Sequence, residues 1–165
     1  MLCKNCCVLE LKKIALKFRV LSFIPTVITN NCSCFEFNIQ KYFLYSAIAV
    51  RKLCETQSMN KLRESVVDVM RYPYIGDEEW VPNVICVDNY DSQRFSNEKL
   101  KLSKVYNSIV HSHTCDVIYH RKKHFKYAAY LGVSSDKDQR KYLYVIAIKD
   151  WIELLDLIVK AFDKC

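Results

Sequence analysis

Glycine and proline are scarce in this chain, which has two glycines and three prolines among 165 residues. Turn-rich β-barrels and β-sandwiches need many backbone positions with positive φ, and glycine is the residue that supplies them. The scarcity of glycine therefore disfavours those folds. The sequence also has neither the G-x-G-x-x-G nor the G-x-x-x-x-G-K-[ST] pattern. We therefore expect neither Rossmann-type dinucleotide binding nor a P-loop.

Long apolar runs are also absent from the sequence. The longest stretch without a charged residue, 20–35, is interrupted by Pro25 and by several Thr, Asn and Ser residues. A membrane-spanning helix needs about 20 mostly apolar residues. The start of the chain, 1–13, is broken by charges and lacks the apolar core of a secretion signal. We therefore predict a cytoplasmic protein with no membrane partner.

The nine cysteines are an odd number with irregular spacing. Without a secretion signal, free thiols in a reducing compartment explain them better than a disulfide scaffold does. Cys3 and Cys6 together with Cys32 and Cys34 could imitate a zinc site, although no second C-x-x-C or His pair follows at finger spacing. A zinc-stabilised interaction protein is therefore one open alternative.

Positive charge is concentrated in one stretch of the sequence. The whole chain carries a net charge of +7, and residues 99–126 contain seven basic residues against one acid, together with all four histidines. A clustered basic segment predicts a polyanionic partner such as RNA. The alternative is an ordinary solvated face with no partner.

The apolar pattern predicts a mainly α fold. We expect a bundle of four or five helices with a small β-hairpin inserted before the last helix. Residues 1–37 would supply a first helix, with Leu9, Leu16 and Val20 at helical spacing, and a Cys-rich loop; residues 38–165 would form the helical domain. The predicted helices are 8–23, 38–55, one that opens at Ser58 and carries Leu62, Val66 and Val69, one over 96–112, and 150–162. The predicted strands are 116–119, 127–133 and 142–148, with the last two forming the hairpin, and a further short strand at 84–87 within a long connection over 71–95.

Three polar residues of the helix predicted at 96–112 share one face. Asn107 and His111 are four residues apart, and Lys104 lies one turn before Asn107. A histidine can move a proton near neutral pH, an asparagine can orient it, and a lysine can offset developing phosphate charge. This combination suits metal-independent RNA cleavage. A packing or capping pair is the alternative interpretation.

The stretch Y-N-S-I-V-H at 106–111 and the earlier A-V-R-K-L-C-E helix at 49–55 resemble the HEPN superfamily of small helical domains. The hallmark of that family is R-x(4–6)-H, commonly R-N-x-x-x-H, on the penultimate major helix. Asn107 and His111 match two positions of the motif, whereas Tyr106 stands where the family has arginine. The resemblance implies a homodimeric bundle that cleaves RNA without a metal or other cofactor, as toxins and phage-defence effectors do, and that can have a regulatory protein partner.

The resemblance assigns roles to residues of this chain. It implies His111 as general acid or base and Asn107 as the residue that orients it. The replacement for the motif arginine would be Arg51 of the second helix, His113 or Lys104. The residues expected to bind RNA are Lys104, His113, Arg121, Lys122, Lys123 and Lys126. An ordinary ion pair between Arg51 and Glu55 is the alternative for that position. A catalytically inactive RNA-binding or protein-interaction module of the same fold remains open beside the enzyme.

Overall fold

The computed structural model describes residues 4–23, 26–27, 33–55, 60–76, 87–122, 125–138 and 140–163. Five α-helices are found in these ranges: α1 (Lys4–Phe23), α2 (Ser33–Cys54), α3 (Asn60–Arg63), α4 (Leu102–Val110) and α5 (Ile148–Asp163). The strands are β1 (Thr26–Val27), β2 (Val66–Pro73), β3 (Ser96–Lys101), β4 (Ser112–Lys122), β5 (Phe125–Ser135) and β6 (Tyr142–Ala147). A short 3-10 helix covers Val87–Asn89.

The long helices form where apolar residues recur every three or four positions. In α2 the buried residues Ile39, Phe43, Ala47 and Val50 make one stripe, and Trp151, Leu155, Ile158 and Phe162 make the stripe of α5. Both helices were predicted from the sequence and are confirmed, although α2 begins at Ser33, within the segment that was predicted to be a loop.

The first helix is also confirmed, but its buried face differs from the predicted one. Leu9, Leu16 and Val20 are exposed, while Leu11 and Phe18 are buried. Two apolar stripes overlap on this helix, and packing against α2 and α5 selects the second one. Because of this packing, α1 shares the core of the residues that follow it.

The described strands form one antiparallel sheet in the order β3-β2-β6-β5-β4, with β1 paired to the start of β5. Helices α1, α2, α4 and α5 pack against one face of this sheet, and the largest buried residues, Trp151, Phe18 and Phe43, lie among them. A smaller apolar cluster that includes Tyr90, Leu143 and Val145 covers part of the opposite face.

The fold class predicted from the sequence is wrong, because the molecule is an α+β protein and not a mainly helical HEPN-like bundle. Three of the predicted strands are present. Strands β4 and β5 are longer than the predicted 116–119 and 127–133, and β6 is one residue shorter than the predicted 142–148. The predicted hairpin is confirmed, since β5 and β6 pair antiparallel. The sheet extends well beyond this hairpin, however, so the hairpin is not an insertion into a bundle.

Two segments predicted as helices contain strands, and this accounts for the error. Val66 and Val69 are three residues apart, which fits a helix, but burial alternates along Val66–Val69 and the segment pairs with β3 and β6. Ser96–Lys101 is mostly polar, and the exposure of its side chains alternates along the segment. It forms an edge strand because it pairs with β2. The predicted strand at 84–87 lies largely outside the described residues, and Val87 begins the 3-10 helix.

Candidate functional site

Arg51 and His111 meet where α2 and α4 end. Arg51 lies in the last turn of α2, and His111 is the residue at which α4 stops. The Nη1 atom of Arg51 is 3.4 Å from Nε2 of His111, across 60 residues of sequence. A guanidinium group has no acceptor, so in this contact Arg51 donates and Nε2 of His111 accepts. The contact therefore places a cation beside an imidazole nitrogen, with the two groups supplied by different helices.

The amphipathic pattern of α4 places two further polar residues beside this pair. Leu102, Val105 and Ile109 are buried, which directs Lys104 and Asn107 away from the core. The backbone carbonyl of Asn107 accepts the N–H of His111 at 2.9 Å. The helical spacing that pointed to Lys104, Asn107 and His111 thus brings them to one surface.

These residues line one cleft of about 610 Å³. Its opposite wall is the turn between β5 and β6, and the complete lining is Arg51, Lys104, Asn107, Ser108, His111, Ser135, Asp136, Lys137 and Asp138. The N–H of Asp136 donates to the carbonyl of His111 at 3.3 Å, which joins the turn to the end of α4. The volume is sufficient for a small ligand or a short part of a polymer.

Sequence reasoning missed the contribution of the turn. The polar run at 134–141 was interpreted as a hairpin connection, and nothing in its composition indicates that it faces α4. The hydrogen bond from Ser135 Oγ to Asp138 Oδ2, 3.0 Å long, stabilises the turn. The approach of the turn to His111 depends on the pairing of β4 with β5, which places Ser112 opposite Ser135.

Lys104 is held as a cation in this cleft. Partial burial lowers its pKa, but the hydrogen bond to the Tyr144 hydroxyl and the charges of Asp138 and Glu98 raise it more, so the pKa of Lys104 lies above its ordinary value. The Nζ–Oη distance is 2.9 Å, and the ammonium also lies 5.0 Å from the Tyr144 ring centroid. Lys104 therefore carries its charge throughout the neutral pH range.

Arg51 also makes the ion pair that its spacing with Glu55 suggested. Its Nε atom lies 3.1 Å from Glu55 Oε1 on the exposed side of α2. Exposed pairs of this spacing contribute only about 0.3–0.5 kcal/mol. Glu55 therefore orients the guanidinium group at little energetic gain, and a second face of that group points toward His111.

The basic stretch predicted to bind RNA is divided between two places. Lys104 lies in the cleft, whereas Arg121 and Lys122 end strand β4, which begins next to the cleft. Ten residues of strand at about 3.3 Å each separate the two ends by about 33 Å. The segment is continuous in sequence but is not one patch on the surface.

The remaining predicted RNA-binding residues belong to the β4–β5 hairpin or fall outside the description. Lys126 pairs in register with Arg121, and its ammonium lies 4.1 Å from the ring centroid of Tyr119. The side chains of His113, Arg121 and Lys122 lie outside the described part of the structure, as does all of Lys123.

A larger groove of about 1090 Å³ lies near the start of α5. Its charged residues are Arg19, Asp68, Lys149, Asp150, Glu153 and Asp156. Both cations are in ion pairs, Arg19 with Asp156 and Lys149 with Glu153. The excess of carboxylates disfavours a phosphate ligand, so the smaller cleft is the better candidate site.

The described residues include no group of three or more His, Cys, Asp and Glu side chains arranged to hold a metal ion. Of the four cysteines considered for zinc, Cys3 and Cys32 lie outside the described residues. Cys6 and Cys34 are exposed. Within those same ranges, no helix has the length and apolar character that crossing a membrane demands.

No protein-family profile, curated protein or solved structure with which the chain was compared matches it.

Proposed function

We propose that the protein cleaves RNA without a metal ion, in the cleft formed by Arg51, Lys104, Asn107 and His111. The observation that supports this proposal is the contact between Arg51 and His111, 3.4 Å long, which joins a cation to a proton acceptor from two different helices. A phosphodiester bound beside this pair would meet both groups at once. The side chains of Lys104 and Asn107 line the same cleft.

The reaction uses the neighbouring hydroxyl of the substrate as the nucleophile. His111 takes the proton of the ribose 2′-hydroxyl, and the 2′ oxygen bonds to the adjacent phosphorus. The bond from phosphorus to the 5′ oxygen breaks, that oxygen takes a proton from water, and the hydroxide that remains takes the proton from His111. Arg51 and Lys104 stabilise the negative charge that develops on the phosphorane. The products are a 2′,3′-cyclic phosphate and a 5′-hydroxyl.

Arg51 takes the role that the motif comparison gave to position 106. Tyr106 is buried, with 4% of its surface exposed, and packs in the core. It is therefore unavailable to a phosphate. Arg51 approaches His111 from α2 instead, so the cation comes from a different part of the chain.

The test is cleavage of a fluorescent single-stranded RNA by His111→Ala. We expect loss of cleavage with an unchanged melting temperature, because His111 is exposed at a helix end. His120→Ala is the matched control, since His120 is exposed on β4 and lies outside the cleft lining. Asn107→Ala should reduce the rate less, because the proton acceptor remains.

Product analysis separates this mechanism from other kinds of nuclease. Mass spectrometry should find 2′,3′-cyclic phosphate ends, and an excess of chelator should leave the rate unchanged. Full cleavage by His111→Ala, or a rate that depends on added Mg²⁺, would contradict the proposal.

A non-catalytic RNA-binding or protein-interaction module is the second candidate. The cleft contains the carboxylates of Asp136 and Asp138, and Glu55 shares the guanidinium group of Arg51. Those negative charges reduce the stabilisation available to a phosphorane. Binding of RNA by the wild-type protein without cleavage would favour this candidate.

The proposal includes a cytoplasmic location and action as a toxin-type effector, with phage defence as the setting that the sequence resemblance implied. A homodimer and a regulatory protein partner also stay predictions. Arg51 and His111 belong to one chain, so the described part of the cleft is assembled without a second copy.

A further inference from the structure

An aromatic and basic stripe runs along the exposed side of α2 toward the cleft. We define the α2 stripe as Phe37, Lys41, Tyr45 and Lys52. With 3.6 residues per turn, these four positions lie within an arc of about 80° on the helix. Phe37 is 63% exposed and Tyr45 is 46% exposed, and both are large side chains on a surface without a covering element among the described residues.

The cations of the stripe alternate with its rings. The ammonium of Lys41 lies 5.7 Å from the Tyr45 ring centroid, between the two aromatic residues in sequence, and Lys52 is exposed near the end of the helix. Arg51, which contacts His111, lies at the margin of the same exposed arc. The last residue of the stripe, Lys52, is therefore the sequence neighbour of a residue that lines the cleft.

We propose that the α2 stripe binds single-stranded RNA and leads it into the cleft. Proteins that bind single strands combine cations along the backbone with aromatic rings on which bases stack. Phe37 and Tyr45 are eight residues apart, which is about 12 Å along a helix axis. Stacked neighbouring bases are about 3.4 Å apart. The two rings can therefore stack with two bases of a single strand whose intervening bases are unstacked. The bases of a duplex are stacked on one another and cannot reach the rings.

Charge complementarity favours RNA over an apolar protein surface as the occupant. The stripe and its margin hold Lys41, Arg51 and Lys52, and Glu55 is the acid that pairs with Arg51 there. The exposed apolar residues of α1, Leu9, Leu16 and Val20, lie on a different helix and have no comparable aromatic rings.

The inference rests on the proposed function for the direction of the strand, but its test measures binding alone. The probe is a 5′-labelled single-stranded RNA of 12 nucleotides with 2′-O-methyl groups, which cannot be cleaved through the 2′ oxygen. Fluorescence anisotropy should show that Phe37→Ala and Tyr45→Ala each weaken binding about 5- to 100-fold. Tyr45→Trp should keep the wild-type affinity because it keeps a ring on which a base can stack. Tyr45→Leu should lose affinity as Tyr45→Ala does.

Leu157→Ala is the matched control, since Leu157 is also 63% exposed but lies on α5. It should bind the probe as the wild type does, and a duplex of the same sequence should bind equally to all variants. Unchanged affinity of Phe37→Ala and Tyr45→Ala would overturn the inference and would favour a protein as the partner of the stripe. Equal losses in Leu157→Ala would overturn it as well.

The two proposals fail in different experiments. If the stripe variants lose affinity and cleavage never occurs, RNA binding along α2 stands and the enzyme proposal fails. If His111→Ala abolishes cleavage while the stripe variants bind normally, the enzyme proposal stands and the inference about the stripe fails.

Discussion

At the scale of single residues, the cleft depends on the guanidinium group of Arg51. Its Nη1 atom contacts His111, and its Nε atom contacts Glu55. A guanidinium group offers five donors in a rigid planar fork, so it can hold both neighbours and still face a phosphate. Lysine would keep the charge at this position but not the fork.

Replacement of Arg51 should therefore affect the chemical step. We expect Arg51→Ala to lower kcat about a hundredfold or more, because one charge-stabilising contact in the transition state is lost. Arg51→Lys should recover only part of this loss. The melting temperature should stay close to that of the wild type, since an exposed i,i+4 pair contributes about 0.3–0.5 kcal/mol.

Lys149→Ala is a suitable control for this measurement. Lys149 is an exposed cation in an i,i+4 pair with Glu153, but it lies on α5 outside the cleft. Single-turnover kinetics would separate the chemical step from binding. A normal kcat in Arg51→Ala would remove Arg51 from the mechanism.

At the scale of secondary-structure elements, α2 connects the core to the cleft. Its buried stripe packs against α5, where Trp151 Nε1 donates to Ser46 Oγ at 2.9 Å and Ser46 Oγ donates to the carbonyl of Phe43 at 2.7 Å. The Phe43 and Trp151 rings also meet edge to face, with centroids 5.1 Å apart. This packing determines where the end of α2, and therefore Arg51, lies.

Ser46→Ala should destabilise the protein by about 1–3 kcal/mol, because the buried indole N–H of Trp151 would lose its acceptor. Chemical denaturation gives this value directly as a shift in the free energy of unfolding. Ser103→Ala, at a partly exposed position of α4, should change it by less than about 0.5 kcal/mol. Equal effects at both positions would mean that the Trp151 hydrogen bond is not the cause.

At the scale of the whole molecule, the buried thiol of Cys54 and the partly buried thiol of Cys115 make stability depend on pH. Burial raises the pKa of Cys54 to about 11 and that of Cys115 to about 12. In the unfolded chain a cysteine loses its proton near pH 8.5. Above that pH the unfolded state binds fewer protons than the folded state, so the free energy of unfolding falls as pH rises.

We therefore expect the stability difference between the wild type and Cys54→Ala/Cys115→Ala to change as the pH rises from about 8.5 toward 11. The wild type should lose stability relative to the variant as pH rises, because only the wild type has these two thiols. Urea titrations at several pH values measure this difference. A difference that does not vary with pH would contradict the assignment of buried thiols.

Much of the local structure follows from the sequence by itself. The stripes of α2 and α5 are long and regular, so their helices and buried faces could be predicted, and the spacing of Lys104, Asn107 and His111 placed them on one side of α4. The apolar pattern of that helix also predicts Tyr106 on its buried side, together with Leu102 and Ile109, and all three are buried.

Tertiary structure decided the fold class and the completeness of the cleft. The polar segment Ser96–Lys101 is a strand because β2 pairs with it, and no local pattern contains that partner. Strand β4 separates Lys104 from Arg121 and Lys122, although they are close in sequence. The turn at 135–138 reaches His111 because strand pairing brings distant segments together. Helical spacing is a local property of the chain, whereas strand pairing and the packing of α2 against α4 depend on the whole core.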